Sequence, residues 1–236
     1  MLQLTPNECR VLGVLVEKAQ TVPAQYPMTV NSIVLGANQK NNRDPVTSLS
    51  EEDVYEALDS LRAKGLVREA MLSGSRVSKF RHLAREVLGV DTEELVVLTE
   101  LLLRGPQSPG ELRGRASRMH PLESVEKVEQ ILRNLMRPRE ASGDNPAREP
   151  LVRELPRRPG ERANRYVQLL CPDLHPLDGP IAASHEHAAT PAGAAPPASS
   201  ELAARVDELE AEVRRLRAAV RRLAAAMGES DPLEGE

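Results

Sequence analysis

The stretch Leu66-Val67-Arg68-Glu69 returns at positions 151 to 154 as Leu151-Val152-Arg153-Glu154, and the segments around the two copies match in kind as well as in sequence. A unit repeated at this period is a folded module that recurs, so the chain is constrained to two similar small folds in series. Each copy reads as three helices followed by two short strands. The predicted class is mainly α with small β-hairpins (α+β).

The first copy opens with Thr5-Pro6-Asn7-Glu8, a Thr N-cap, Pro at the first helical position and Glu completing a capping box. Cys9, Leu12, Leu15, Val16 and Ala19 follow at helical spacing. A Pro-rich connection, Thr21 to Pro27, leads to a second helix carrying Val30, Ile33, Val34 and Ala37. The third helix starts near Ser48 or Ser50 and turns Val54, Ala57, Leu58 and Leu61 inward, and Gly65 ends it. Leu66–Arg68 and Lys79–Leu83 then read as strands around a Ser73-Gly74-Ser75 turn.

In the second copy Thr92 caps a helix through Leu95, Leu98, Leu101 and Leu102. Ser108-Pro109-Gly110-Glu111 opens a short helix holding Leu112 and Ala116. Val125, Val128, Ile131, Leu132 and Leu135 mark the third helix, and Leu151–Arg153 with Tyr166–Leu169 form the hairpin. Three helices and a two-stranded wing are the winged helix-turn-helix order, with recognition expected on the third helix. The expected organisation is winged-helix domains at 1–90 and 91–171, an Ala/Pro-rich disordered linker at 172–200, a coiled-coil helix at 201–228 and an acidic tail at 229–236.

Leu202, Val206, Leu209, Val213, Leu216, Val220, Leu223 and Met227 recur with 4,3 spacing. Val at the a positions and Leu at d favour a parallel two-stranded coil, so a homodimer is expected. Charges agree: Arg205 would face Glu210, and Glu212 would face Arg217, across the pair. A flexible linker of this length spans roughly 30 Å.

Charge is close to balanced in the modules and acidic in the tail. Residues 1–90 carry 11 Lys/Arg against 10 Asp/Glu, residues 91–171 carry 14 against 13, and residues 172–236 carry 6 against 12. Any nucleic-acid contact must therefore rest on local patches. Cys9 and Cys171 stand far apart in sequence, which suits reduced thiols rather than a disulfide framework. With no signal segment and no apolar run of membrane length, a soluble cytoplasmic protein is expected. No phosphate-cradling glycine loop, dinucleotide fingerprint or nucleophile elbow is present, and His185-Glu186-His187 lacks further spaced ligands. Neither an enzyme, a cofactor nor a metal is expected.

Four patches favour duplex DNA: the loop Asn38, Gln39, Lys40, Asn42, Arg43; the first wing, with Arg76, Lys79, Arg81 and His82; Arg113, Arg115 and Arg118 near the second helix of the second copy; and its wing, with Arg157, Arg158, Arg162 and Arg165. Gln130, Arg133, Asn134 and Arg137 make the third helix of the second copy the better base reader. Its counterpart in the first copy presents Glu52, Asp53, Glu56 and Asp59, which repel phosphates. That face suits a protein partner, so a recruiting scaffold in the manner of tandem winged-helix chromosome-partition subunits is the alternative. With Tyr26, Tyr55, Phe80 and Tyr166 the only aromatics, stacking on single strands is disfavoured.

At Glu17-Lys18, Thr21, Pro23, Tyr26-Pro27, Asn31 and the run from Ala37 to Val46 the chain resembles the bacterial YceH family of uncharacterised proteins, over roughly residues 4–171. The resemblance implies tandem winged-helix domains, often with a terminal coiled coil, and no established activity, substrate or cofactor. It also implies that the loop matters, since Asn38, Gln39, Lys40, Asn42 and Arg43 match the motif.

Overall fold

Helix α1 (Pro6–Thr21) opens a series that also contains α2 (Val30–Ala37), α3 (Glu51–Ala63) and the antiparallel hairpin β1 (Val67–Ala70) and β2 (Lys79–His82). A short helix α4 (Ala84–Leu88), not predicted from the sequence, connects to α5 (Thr92–Arg104), α6 (Pro109–Ala116), α7 (Val125–Leu135) and a second antiparallel hairpin, β3 (Val152–Leu155) and β4 (Arg165–Gln168). The computed structural model describes residues 2–70, 77–141, 146–156 and 163–175, all within the compact unit Met1–Ser184. The coil positions Leu202, Val206, Leu209, Val213, Leu216, Val220 and Leu223 lie outside the described residues, as does the Ser73–Ser75 turn.

Caps set the helix starts in both copies. Thr5 and Asp91 cap α1 and α5, each in a box with the Glu three residues on, and Thr29 and Ser108 cap α2 and α6. Ser50 and Ser124 cap α3 and α7. Asp91 holds the capping position expected of Thr92, because its carboxylate accepts the Glu94 amide at 2.8 Å. A cation beyond the third helix braces the first in both copies: Lys64 pairs with Glu8 at 2.6 Å and Arg148 with Glu94 at 3.2 Å. Each hairpin also gains a third partner, through the isolated bridges Met28 to Phe80 and Gln107 to Tyr166.

The apolar periodicity of α1 and α5 identifies one buried face on each, but both helices are buried all round. Residues 8–17 of α1 and 94–103 of α5 are buried without a break. The extra burial is mutual, because α1 crosses α5 and the two repeats share one hydrophobic core. At the crossing a side chain on Gly13 would place its Cβ 2.8 Å from Leu103 Cδ2, so glycine lets the helices approach. Beyond β4 the chain stays packed where composition reads as linker. Pro172–Leu174 form a 3-10 turn, and the buried His175 sets its Nε2 2.8 Å from the Asp44 carbonyl. No helix among the described residues is long and apolar enough to cross a membrane.

Candidate nucleic-acid interface

The loop after α2 is built as a strut. The Asn38 side chain donates to the Leu49 carbonyl at 2.8 Å and accepts the Leu49 amide at 2.7 Å, closing the loop across its base. Asn42 sits at φ +64°, a left-handed conformation that Asn tolerates better than most residues. That turn drives Arg43 inward. Its guanidinium is fully buried, gripping Glu17 at 2.5 and 3.2 Å, donating to the Gly36 carbonyl at 3.0 Å and to Gln39 Oε1 at 3.1 Å.

The Glu17 carboxylate has a second cation from the other repeat. Arg118, just past α6, reaches Glu17 at 2.6 Å and Glu100 of α5 at 3.2 Å, while Arg104 stands 2.9 Å from Glu100. Burial works to raise the Glu17 carboxyl, but the hydrogen bonds and charge of Arg43 and the charge of Arg118 outweigh it and hold it below the usual range. Burial likewise works against the Arg118 charge, and Glu100 and Glu17 override it, so that its pKa is raised. Arg43 and Arg118, which the sequence suggested as phosphate contacts, are thus ion-pair partners at the seam between the repeats. Of the loop motif, Lys40 is exposed and Gln39 is exposed but bonded to Arg43.

The structure does bring one predicted group together at the surface. Spacing of three and four residues sets Gln130, Arg133, Asn134 and Arg137 in one stripe along α7 and its end, and all four are exposed. Arg133 is held only loosely, 3.8 Å from Glu129. Counting from the N-cap serines, the stripe Glu126, Gln130, Arg133, Arg137 occupies the positions filled in α3 by Glu52, Glu56, Asp59 and Ala63. The α7 stripe sets two arginines against one carboxylate, where the matched α3 stripe carries three carboxylates and no cation. Asp53 is committed to its capping box, with Oδ2 accepting the Ser50 amide at 2.8 Å, and Asp59 pairs with Arg62 at 3.0 Å. Tyr55 stands among these carboxylates, 48% exposed.

The other candidates divide. Arg113 is exposed, Arg115 is tied to Gln107 at 2.9 Å and Glu111 at 3.5 Å, and Arg165 lies 3.8 Å from Glu111. Arg81 is exposed on β2 and Lys79 is half-buried. Arg76, Arg157, Arg158 and Arg162 lie outside the described residues. On the hairpins, two exposed cations are not among those the sequence singles out: Arg68 pairs in register with Arg81, and Arg153 holds the corresponding place on β3. Their signal was the repeated tetrapeptide itself, in which both are the third residue.

Residues 4–161 match a family described as "Protein of unknown function, DUF480". A UPF0502 protein of Dechloromonas aromatica (strain RCB) is 48% identical over 174 residues, covering 72% of this chain and 77% of its own length. A UPF0502 protein of Geobacter metallireducens is 45% identical over 207 residues, 87% of each chain, and one of Burkholderia pseudomallei (strain 668) is 42% identical over 189 residues, 80% of this chain and 76% of its own.

Proposed function

This chain belongs to the DUF480 family, and on that premise we propose that it is a non-enzymatic tandem winged-helix protein that binds duplex DNA through its second repeat. The winged-helix reading is supported by the twofold order of three capped helices and a hairpin, and agrees with the resemblance to the YceH proteins. The observation that carries the DNA reading is the charge divergence at matched positions. The stripe Gln130, Arg133, Asn134, Arg137 offers amides suited to adenine edges and guanidiniums suited to phosphate or guanine, whereas the α3 positions would repel a duplex. Arg153 on the adjacent hairpin adds a backbone contact. In this reading the coil pairs two chains, so that two weak contacts act together.

Fluorescence anisotropy with a labelled duplex, titrated at several salt concentrations, tests it. Binding should weaken steeply with salt, and Arg133→Ala with Arg137→Ala should lower affinity and reduce the log–log salt slope by about 2. Undetectable or salt-insensitive binding would reject the reading.

A second reading rests on the exposed α3 face, where Glu52, Glu56 and Asp59 surround Tyr55: a cationic protein partner docks there. Affinity capture should then retain a specific protein that is lost on charge reversal of Glu56 and Asp59, and an unchanged set of captured proteins would reject it.

A further inference from the structure

We propose that Cys9 and Cys171 form an oxidisable dithiol that can close into a disulfide, locking the start of the first repeat to the end of the second. These are the chain's two cysteines, and the fold brings them together although nearly the whole of both repeats lies between them. Both are fully buried in the shared core, and the thiols lie within hydrogen-bonding reach of each other. Their backbones are independently pinned. The Leu4 amide donates to the Leu170 carbonyl at 2.7 Å, bringing the chain before α1 against the residue preceding Cys171. The Gln168 side chain clasps Cys171 from both sides, donating to its carbonyl and accepting its amide at 2.7 Å each. Cys9 is fixed in the first turn of α1 by its bond to the Thr5 carbonyl at 2.9 Å.

Closure breaks two S–H bonds and makes one S–S bond. The two protons and two electrons pass to an oxidant of the disulfide class, such as oxidised glutathione, whose S–S bond breaks as each half leaves as a free thiol. The path runs through a mixed disulfide on one cysteine, which the other displaces. Burial, then the neighbouring Cys171, push the Cys9 thiol up, so attack waits on local opening of the first turn of α1. The same burial shields the closed bond from reduction. The cross-link would enclose nearly all of the packed unit, the case in which a disulfide most restricts the unfolded chain.

The full-length protein incubated with oxidised glutathione, then analysed by intact mass, non-reducing peptide map and thermal melt, tests the proposal. The mass should fall by two hydrogens, one linked peptide should join Cys9 to Cys171, and Tm should rise by roughly 10 °C, reversed by dithiothreitol. Cys9→Ala and Cys171→Ala should each abolish the rise. Retention of both free thiols, a persistent glutathione adduct or a linkage only between chains would overturn the proposal, and the wild-type peptide map decides even if a variant fails to fold.

Discussion

Deleting the Arg43 guanidinium would leave the Glu17 carboxylate buried with Arg118 as its remaining strong partner, and would strip the Gly36 carbonyl of its donor. Arg43→Met is therefore expected to cost about 3 kcal/mol in urea unfolding, far more than truncating the exposed Lys40. A DNA-contact role would instead leave stability unchanged. His175 and His82 supply a pH dependence of definite sign. Burial, the largest influence on each, depresses both below the ordinary value of 6.5. The unfolded chain then binds protons that the folded chain refuses, so stability should be full above pH 6.5 and decline as pH falls below it. Melts between pH 7.5 and 5.5 check this, and His175→Gln should flatten the slope. Arg43 and Arg118 could not be placed from the sequence because a loop guanidinium reads the same whether it faces solvent or a carboxylate. Their partners, Glu17 and Glu100, come from other elements. Glu17 and Arg43 both belong to the residues that carry the family resemblance, and their meeting gives those residue types a physical reason.

Helix boundaries follow local chemistry closely because capping is decided within four residues. Thr5, Ser50 and Ser108 occupy the expected caps, and the single shift, from Thr92 to Asp91, exchanges one capping type for its neighbour. Asp91→Ala should cost about 1 kcal/mol in unfolding free energy while Thr92→Ala costs a few tenths; the reverse order would restore Thr92 as the cap. Which faces a helix buries is less local. Val11 and Val14 on α1, and Val96, Val97 and Leu103 on α5, are buried outside the face that periodicity marks. They are covered by tertiary packing that includes the crossing of the two helices. Gly13→Ala tests that crossing: its methyl would meet Leu103, and overpacking of about 1–3 kcal/mol should appear as a lowered Tm.

On the scale of the whole molecule, the repeat suggests two domains, yet the repeats bury α1 and α5 against each other. Expressed alone, residues 91–175 would expose the α5 face that meets α1, and should bind hydrophobic dyes and give poorly dispersed amide spectra. A cooperatively folded isolated half would show that the shared core is dispensable. Removing residues 200–236 should by contrast leave the thermal melt of the packed unit unchanged, convert a dimer to a monomer in light scattering and weaken binding to duplex DNA.

Periodicity and contacts a few residues apart suffice to read the repeat, the order and approximate limits of its recurring helices and strands, and most caps, though not the short α4. Only packing reveals that two arginines read as DNA ligands are counter-ions of buried carboxylates, and that the two cysteines meet. Those outcomes depend on which distant residues come to share a low-dielectric interior and which remain in water, and a linear pattern of residue types holds no record of that partition.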